Sequence, residues 1–176
     1  QLARAIIYEE AGFYLLSEDG QHNGSHRLFA DIPVDSKVPA YEINKGQIDR
    51  VLDYLEVFTK QTKVIWFGPQ LEIYIPKSVI LVNGCAYPYA LRDGQYDDFK
   101  RLDAYLAQRL AGSPVRYVSQ LDLLHFDMSR DFVTCDRIYW RDGEHFNGAG
   151  EQRFGERMRV LENLGLSSQV ATAPQQ

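Results

Sequence analysis

The chain has 176 residues, 45% of them hydrophobic and 24% charged, with a formal net charge of −5; that is enough sequence for one domain with a real core. An acidic balance with no Lys/Arg block argues against a nucleic-acid groove or an anionic membrane surface as the main partner. No apolar run approaches the ~20 residues that span a bilayer, and no signal peptide is visible.

The opening QLARAIIYEE reads as the approach to a buried strand at Ala5–Tyr8, so the expectation is a portion of a longer protein. Residues 17–44 are polar and carry Gly20, Gly24, Pro33 and Pro39, a long loop of the kind that is functional or disordered. Apolar residues at Ile48, Val51, Leu52, Leu55 and Phe58 then repeat at helical spacing. KVIWFGP (63–69) predicts a strand stopped by Gly68-Pro69. The apolar run SVILV (78–82) predicts a strand or a buried turn. A second helix carries Phe99, Leu102, Leu106 and Leu110 inward, with Gly112 as its stop. VRYVS is a third strand, and 119–136 reads as irregular. RIYW (137–140) is strand-like and ends at Asp142-Gly143. The last helix follows, with Asn147 as N-cap, Phe154, Met158 and Leu161 facing inward and Gly165 as its stop; 167–176 is a disordered tail. Alternating strands and helices predict an α/β fold with a mostly parallel sheet, whose site lies beyond the carboxyl ends of the strands.

Asp142 and His145 stand out at that point in the chain. A histidine takes a proton from a nucleophilic hydroxyl when a carboxylate fixes its tautomer. Gly143 eases the turn that brings a carboxylate three residues back to the imidazole. The residues alone leave three readings open: this base and orienter, an ordinary Asp-Gly surface turn, and a metal site of Asp142, Glu144 and His145 with His125. Trp66 and Trp140 read as core, whereas Tyr74, Tyr87 and Tyr89 lie in a loop that can rim a site. Cys85 and Cys135 fit no zinc or redox spacing; whether they pair depends on their Cα atoms coming within ~7 Å.

The block from Cys135 through IYW to Asp142-Gly-Glu-His145-Phe146-Asn147-Gly-Ala-Gly150 resembles the last block of the SGNH (GDSL-like) hydrolase superfamily. It is closest to the SGNH domain fused behind the membrane acyltransferase-3 domain of bacterial O-acetyltransferases, with Phe146 for the usual Leu and Asn147 for the usual Ser. ARAIIYEEAGFY and KVIWFGPQLEIY are similar to two of that family's strands, so the resemblance spans about residues 3–162 and is specific over 135–154. It implies a three-layer, flavodoxin-like fold with strand order 2-1-3-4-5, of which residues 1–166 would be the carboxyl-terminal portion. The first strand here would then expose an unpaired edge. The family's Gly-Asp-Ser nucleophile block has no counterpart in this sequence; the nearest imitation, Ser25 in His22-Asn23-Gly24-Ser25-His26, follows a polar loop.

The resemblance implies a serine acyltransferase or esterase. It would transfer an acetyl group to a bacterial surface polysaccharide such as lipopolysaccharide O-antigen, with the nucleophilic serine upstream of Gln1. His145 would be the base and Asp142 its orienter. The Glu10–Gly12 loop, through Glu10 and Gly12, and more distantly Asn83, would line the substrate. No metal or organic cofactor is implied. The expected partners are a glycan acceptor and an amino-terminal membrane acyltransferase-3 domain, and the expected compartment is the periplasm or cell exterior. A glycan-binding module that has lost its serine, a stand-alone carbohydrate esterase, and a cytoplasmic α/β protein with a chance Asp-x-x-His are the alternatives.

Overall fold

A computed structural model describes residues 4–22, 24, 28–159, 162 and 164–165. The elements run β1 (Ala5–Tyr8), α1 (Gly12–Leu15), β2 (Leu16–Ser17), β3 (Glu42–Ile43), α2 (Lys45–Phe58), β4 (Lys63–Phe67), α3 (Lys77–Asn83), α4 (Gln95–Arg109), β5 (Arg116–Val118), α5 (Gln120–Leu124), α6 (Met128–Asp131) and α7 (Gly148–Met158). Ser25, Leu161 and the tail 167–176 lie outside the described residues.

β1, β4 and β5 form a parallel sheet in that order, with Ala5 opposite Lys63, Tyr8 opposite Trp66 and Phe67 opposite Val118. The protein is therefore mixed α/β around a small parallel sheet, as the alternation predicts. β4 is central, and Val64, Ile65, Trp66 and Phe67 are all buried, as a parallel strand covered on both faces requires. β1 is different. Among the described residues it pairs with β4 on one side only, and Ile7 is 45% exposed.

The helices pack by the stripes their sequences carry. In α2, Ile48, Val51, Leu52 and Leu55 are buried, and Asn44 caps the first turn by accepting from the Gln47 amide at 2.9 Å. In α4, Phe99, Leu102 and Leu106 are buried, while Asp97 and Asp98 in the first turn complement the helix dipole. The described residues of 17–44 are tied to the rest of the fold. The two-residue pair β2–β3 closes them, and Phe29, 0% exposed, packs edge-on to Tyr41 and against Phe99.

Four expectations change. SVILV lies in α3, not in a strand or buried turn: Ile80 faces the core while Leu81 and Val82 are 84% and 83% exposed. The 119–136 stretch contains α5 and α6. RIYW joins no sheet; it forms one arm of an irregular hairpin through the bridges Val133–Ile138 and Trp140–Phe146. α4 ends at Arg109 and α7 at Met158, ahead of Gly112 and Gly165; Arg159 itself takes the left-handed turn (φ 45°) that closes α7. Cys85 and Cys135, left open by their spacing, form a disulfide with Cα atoms 4.9 Å apart.

Candidate functional site

The Asp142–His145 turn closes the hairpin. The Arg141 amide donates to the His145 carbonyl at 2.8 Å, and the Asn147 amide to the Tyr139 carbonyl at 3.0 Å. Asn147 caps α7 through the amides of Ala149 and Gly150, both at 3.0 Å, while its own amide nitrogen donates to the Ile138 carbonyl at 2.6 Å. One side chain thus ties the helix start to the other arm of the hairpin. Gly150 is needed there for space: a Cβ would sit 2.1 Å from the Tyr139 carbonyl oxygen.

The turn is held from the other side by the segment after β4. The Gly143 carbonyl accepts from the amides of Ile73 (2.8 Å) and Tyr74 (3.1 Å), and the Gln70 side chain donates to the Glu144 carbonyl. The Tyr74 ring lies over Gly143, where a Cβ would meet it at 2.4 Å. The Tyr74 hydroxyl donates to Glu144 Oε2 at 3.3 Å. Burial, with Glu72 and Glu144 nearby, pushes that phenol well above its ordinary range.

Within the turn, His145 Nδ1 is 2.9 and 3.1 Å from the two carboxylate oxygens of Asp142. Asp142 Oδ1 also accepts from the amides of Glu144 (3.1 Å) and His145 (2.8 Å). Partial burial opposes ionisation of Asp142, but these backbone and imidazole hydrogen bonds outweigh it and hold the carboxyl down to about 2. The carboxylate fixes Nδ1 as the donor. His145 Nε2 has no partner among the described residues.

His145 lines a cavity of about 290 Å³ with Glu9, Ala11, Gln70, Glu72 and Glu144. Glu9 and Ala11 follow β1, and Gln70 and Glu72 follow β4, so the cavity lies beyond the carboxyl ends of two parallel strands. Glu9 Oε1 accepts from Gln120, just after β5, at 2.6 Å. Glu72 is 1% exposed; Oε1 accepts from the Phe13 amide at 3.3 Å, and buried Oε2 has no partner. Burial pushes the Glu72 carboxyl up to about 8, against the backbone amides of Phe13 and Gly12 that favour its charge.

Among the expected substrate-lining residues, Glu10 faces Tyr8 (2.8 Å) and Gln47 (3.3 Å) instead of the cavity, where its neighbours Glu9 and Ala11 stand. Gly12 begins α1 and packs against Phe99 and Glu72. Asn83 is the exposed last residue of α3 and is not among the residues lining this cavity. Tyr89 is buried and Tyr87 is 48% exposed. One donor atom from each of Asp142, Glu144 and His145 falls within 4.8 Å, without His125. Both oxygens of Asp142 and the Nδ1 of His145 are already spent on one another, on backbone amides and on Arg141, so this set fits a hydrogen-bonded turn better than a metal.

No serine, threonine or cysteine among the described residues lines the cavity. The sequence gives no local hint that Glu9 and Glu72 meet the turn, since they are far apart in the chain. The one signal is a glutamate inside the apolar run LEIYI, 71–75. In comparisons with known proteins, the chain matches no family model, no curated protein and no solved structure.

Proposed function

We propose that the Asp142–His145 turn is the base and orienter of an SGNH-type serine acyltransferase or esterase that moves an acetyl group to or from a surface polysaccharide. The observation that carries this reading is the pairing of His145 Nδ1 with Asp142 at 2.9 Å in a histidine that also lines a cavity beyond the strand ends. In the proposed reaction His145 Nε2 takes the proton of a serine hydroxyl as that oxygen adds to the acyl carbonyl. The same proton then goes to the leaving oxygen as the acyl-serine forms. A sugar hydroxyl, or water in an esterase, repeats the sequence with the imidazole first as base and then as acid. Asp142 remains ionised throughout and stabilises the imidazolium.

The serine of this reading lies upstream of Gln1. The open side of β1 is where a further parallel strand, with the loop that bears it, would pair in a three-layer flavodoxin-like arrangement. The Cys85–Cys135 disulfide supports an oxidising, extracytoplasmic compartment. No helix among the described residues is long and apolar enough to cross a membrane, so the membrane acyltransferase-3 domain of this reading would be a separate segment.

The test is hydrolysis of p-nitrophenyl acetate by the intact gene product. His145→Ala is expected to lower kcat/KM by ~10³-fold or more, with the serine of an upstream Gly-Asp-Ser block labelled by a fluorophosphonate. Equal activity in wild type and variant refutes the triad. The lack of a hydroxyl nucleophile in the cavity among the described residues favours one second reading, a glycan-binding module on the same scaffold. An unlabelled but glycan-binding protein would select it.

A further inference from the structure

A second concavity lies on the opposite flank of the same turn and shares no lining residue with the first. It encloses about 340 Å³, in the range of small-ligand pockets, ~300–1,000 Å³. Its walls include Ile75, Ile80, Phe132 and Trp140, all under 10% exposed, and Ile138, 41% exposed, stands among them on the solvent side.

The polar side chains in its lining are Lys77, Arg141 and Asp142. Arg141 Nε is 3.3 Å from Asp142, whose carboxylate also serves His145. Lys77 is exposed and makes no ion pair or hydrogen bond among the described residues. It is therefore an uncommitted cation beside an apolar groove, in a chain of net charge −5.

The groove is also built in advance. One wall is the segment from Ile75 into α3 and the other is the stretch from Phe132 to Trp140. The Cys85–Cys135 disulfide joins the two, from just past α3 to a point within the second wall. Trp140 is fixed besides by its indole N–H, which donates to the Asp131 carbonyl at 3.1 Å. Such walls need little ordering when a ligand enters.

The chemistry selects among ligands. A sugar would leave most of its hydroxyls unpaired against this lining, at a cost of about 1–3 kcal/mol each. A single alkyl chain matches the apolar walls, and an anionic head matches Lys77. We infer that this groove binds a single-chain anionic amphiphile, its chain against Ile75, Ile80, Phe132 and Trp140 and its head on Lys77. The inference goes beyond the acyl-transfer reading and does not depend on it.

The test is calorimetric titration of the intact protein with octyl phosphate below its micelle concentration, beside octanoate, octyl glucoside and inorganic phosphate. Octyl phosphate is expected to bind saturably and at least about tenfold more tightly than octyl glucoside, with no saturable heat from inorganic phosphate. Octanoate binding as well as octyl phosphate marks any anionic head as sufficient; octanoate failing narrows the head to a phosphate. Lys77→Glu should weaken octyl phosphate about tenfold and leave octyl glucoside within about twofold; Ile138→Asn should weaken both. Both positions are exposed, and amide shifts at Lys77, Ile138 and Gly143 in the unaltered protein give a readout that needs no variant. Absence of saturable octyl phosphate binding, equal binding of octyl glucoside or inorganic phosphate, or binding that survives both substitutions overturns the inference.

Discussion

The tetrapeptide Asp142-Gly-Glu-His145 has a twin at Asp19-Gly-Gln-His22. There too the aspartate accepts from the amides two and three residues on, and the histidine Nδ1 meets its carboxylate, at 2.5 Å. The contact is therefore a local property of Asp-Gly-x-His, a turn that aspartate favours on its own. His22 is 83% exposed on its side chain, whereas His145, 55% exposed, borders a cavity that buried Glu72 also lines. Context, not the pair, distinguishes the two. Glu72 supplies a measurable part of that context. Its folded pKa is about 8 against an ordinary 4.5, so the folded chain keeps a proton that the unfolded chain releases. Stability contributed by this group is full below about pH 4.5, falls as pH rises, and levels above about pH 8. Glu72→Gln removes the titration. Its stability relative to wild type should rise by at least about 1 kcal/mol between pH 5 and pH 8 in urea unfolding. Parallel curves across that range would show Glu72 to be charged in the fold.

At the scale of elements, the site depends on how α7 and the hairpin before it are anchored. Asp131, at the end of α6, is 0% exposed; its carboxylate accepts from Arg153 Nε at 3.0 Å and from Arg157 at 2.6 and 2.7 Å. The same residue's carbonyl holds Trp140. Burial works against its charge, and the Arg157 and Arg153 guanidiniums with the Asp127 amide hold its carboxyl below the ordinary range. Asp131→Ala should cost about 3 kcal/mol, the low end for a broken buried pair, because both arginines keep some water. The urea midpoint measures it, and a loss under about 1 kcal/mol would mean that Phe154 packing alone seats the helix. Asn147, the other anchor, was legible in the sequence because an N-cap is a local signal read from a few residues. α2 and α4 are legible for the same reason, each repeating the helical period over its own length; the three parallel strands are legible as short runs rich in apolar, β-branched and aromatic residues. SVILV was not. A short apolar run with β-branched residues reads as strand, and what makes it helical is its frame, Pro76 at the N-cap and Gly84 at φ 74° closing the end. The hairpin arm RIYW misled in the same way, since alternation cannot tell a sheet strand from a lone pair of bridges.

Across the whole molecule, one covalent link joins what the sheet does not. Cys85 follows α3 and Cys135 lies in the hairpin, 50 residues apart, and neither segment belongs to β1, β4 or β5. The sheet and its helices position the strand-end loops with Glu9 and Glu72; the disulfide positions the periphery, where the groove beside Asp142 lies. Chain entropy gives a closed loop of this length up to ~4 kcal/mol, and native links of this kind commonly deliver about 2–4 kcal/mol. Replacing both cysteines by alanine should therefore lower the urea unfolding free energy by about 2–4 kcal/mol. It should leave the Asp142–His145 contact intact, because that contact is held by its own turn and by Gln70, Ile73 and Tyr74 from the segment after β4. The amide resonances of 142–145 would then keep their shifts while those of 77–84 and 132–138 broaden. If the 142–145 resonances move with the rest, the periphery and the candidate site are one cooperative unit, and reduction of the disulfide in a thiol-rich compartment would disable both together.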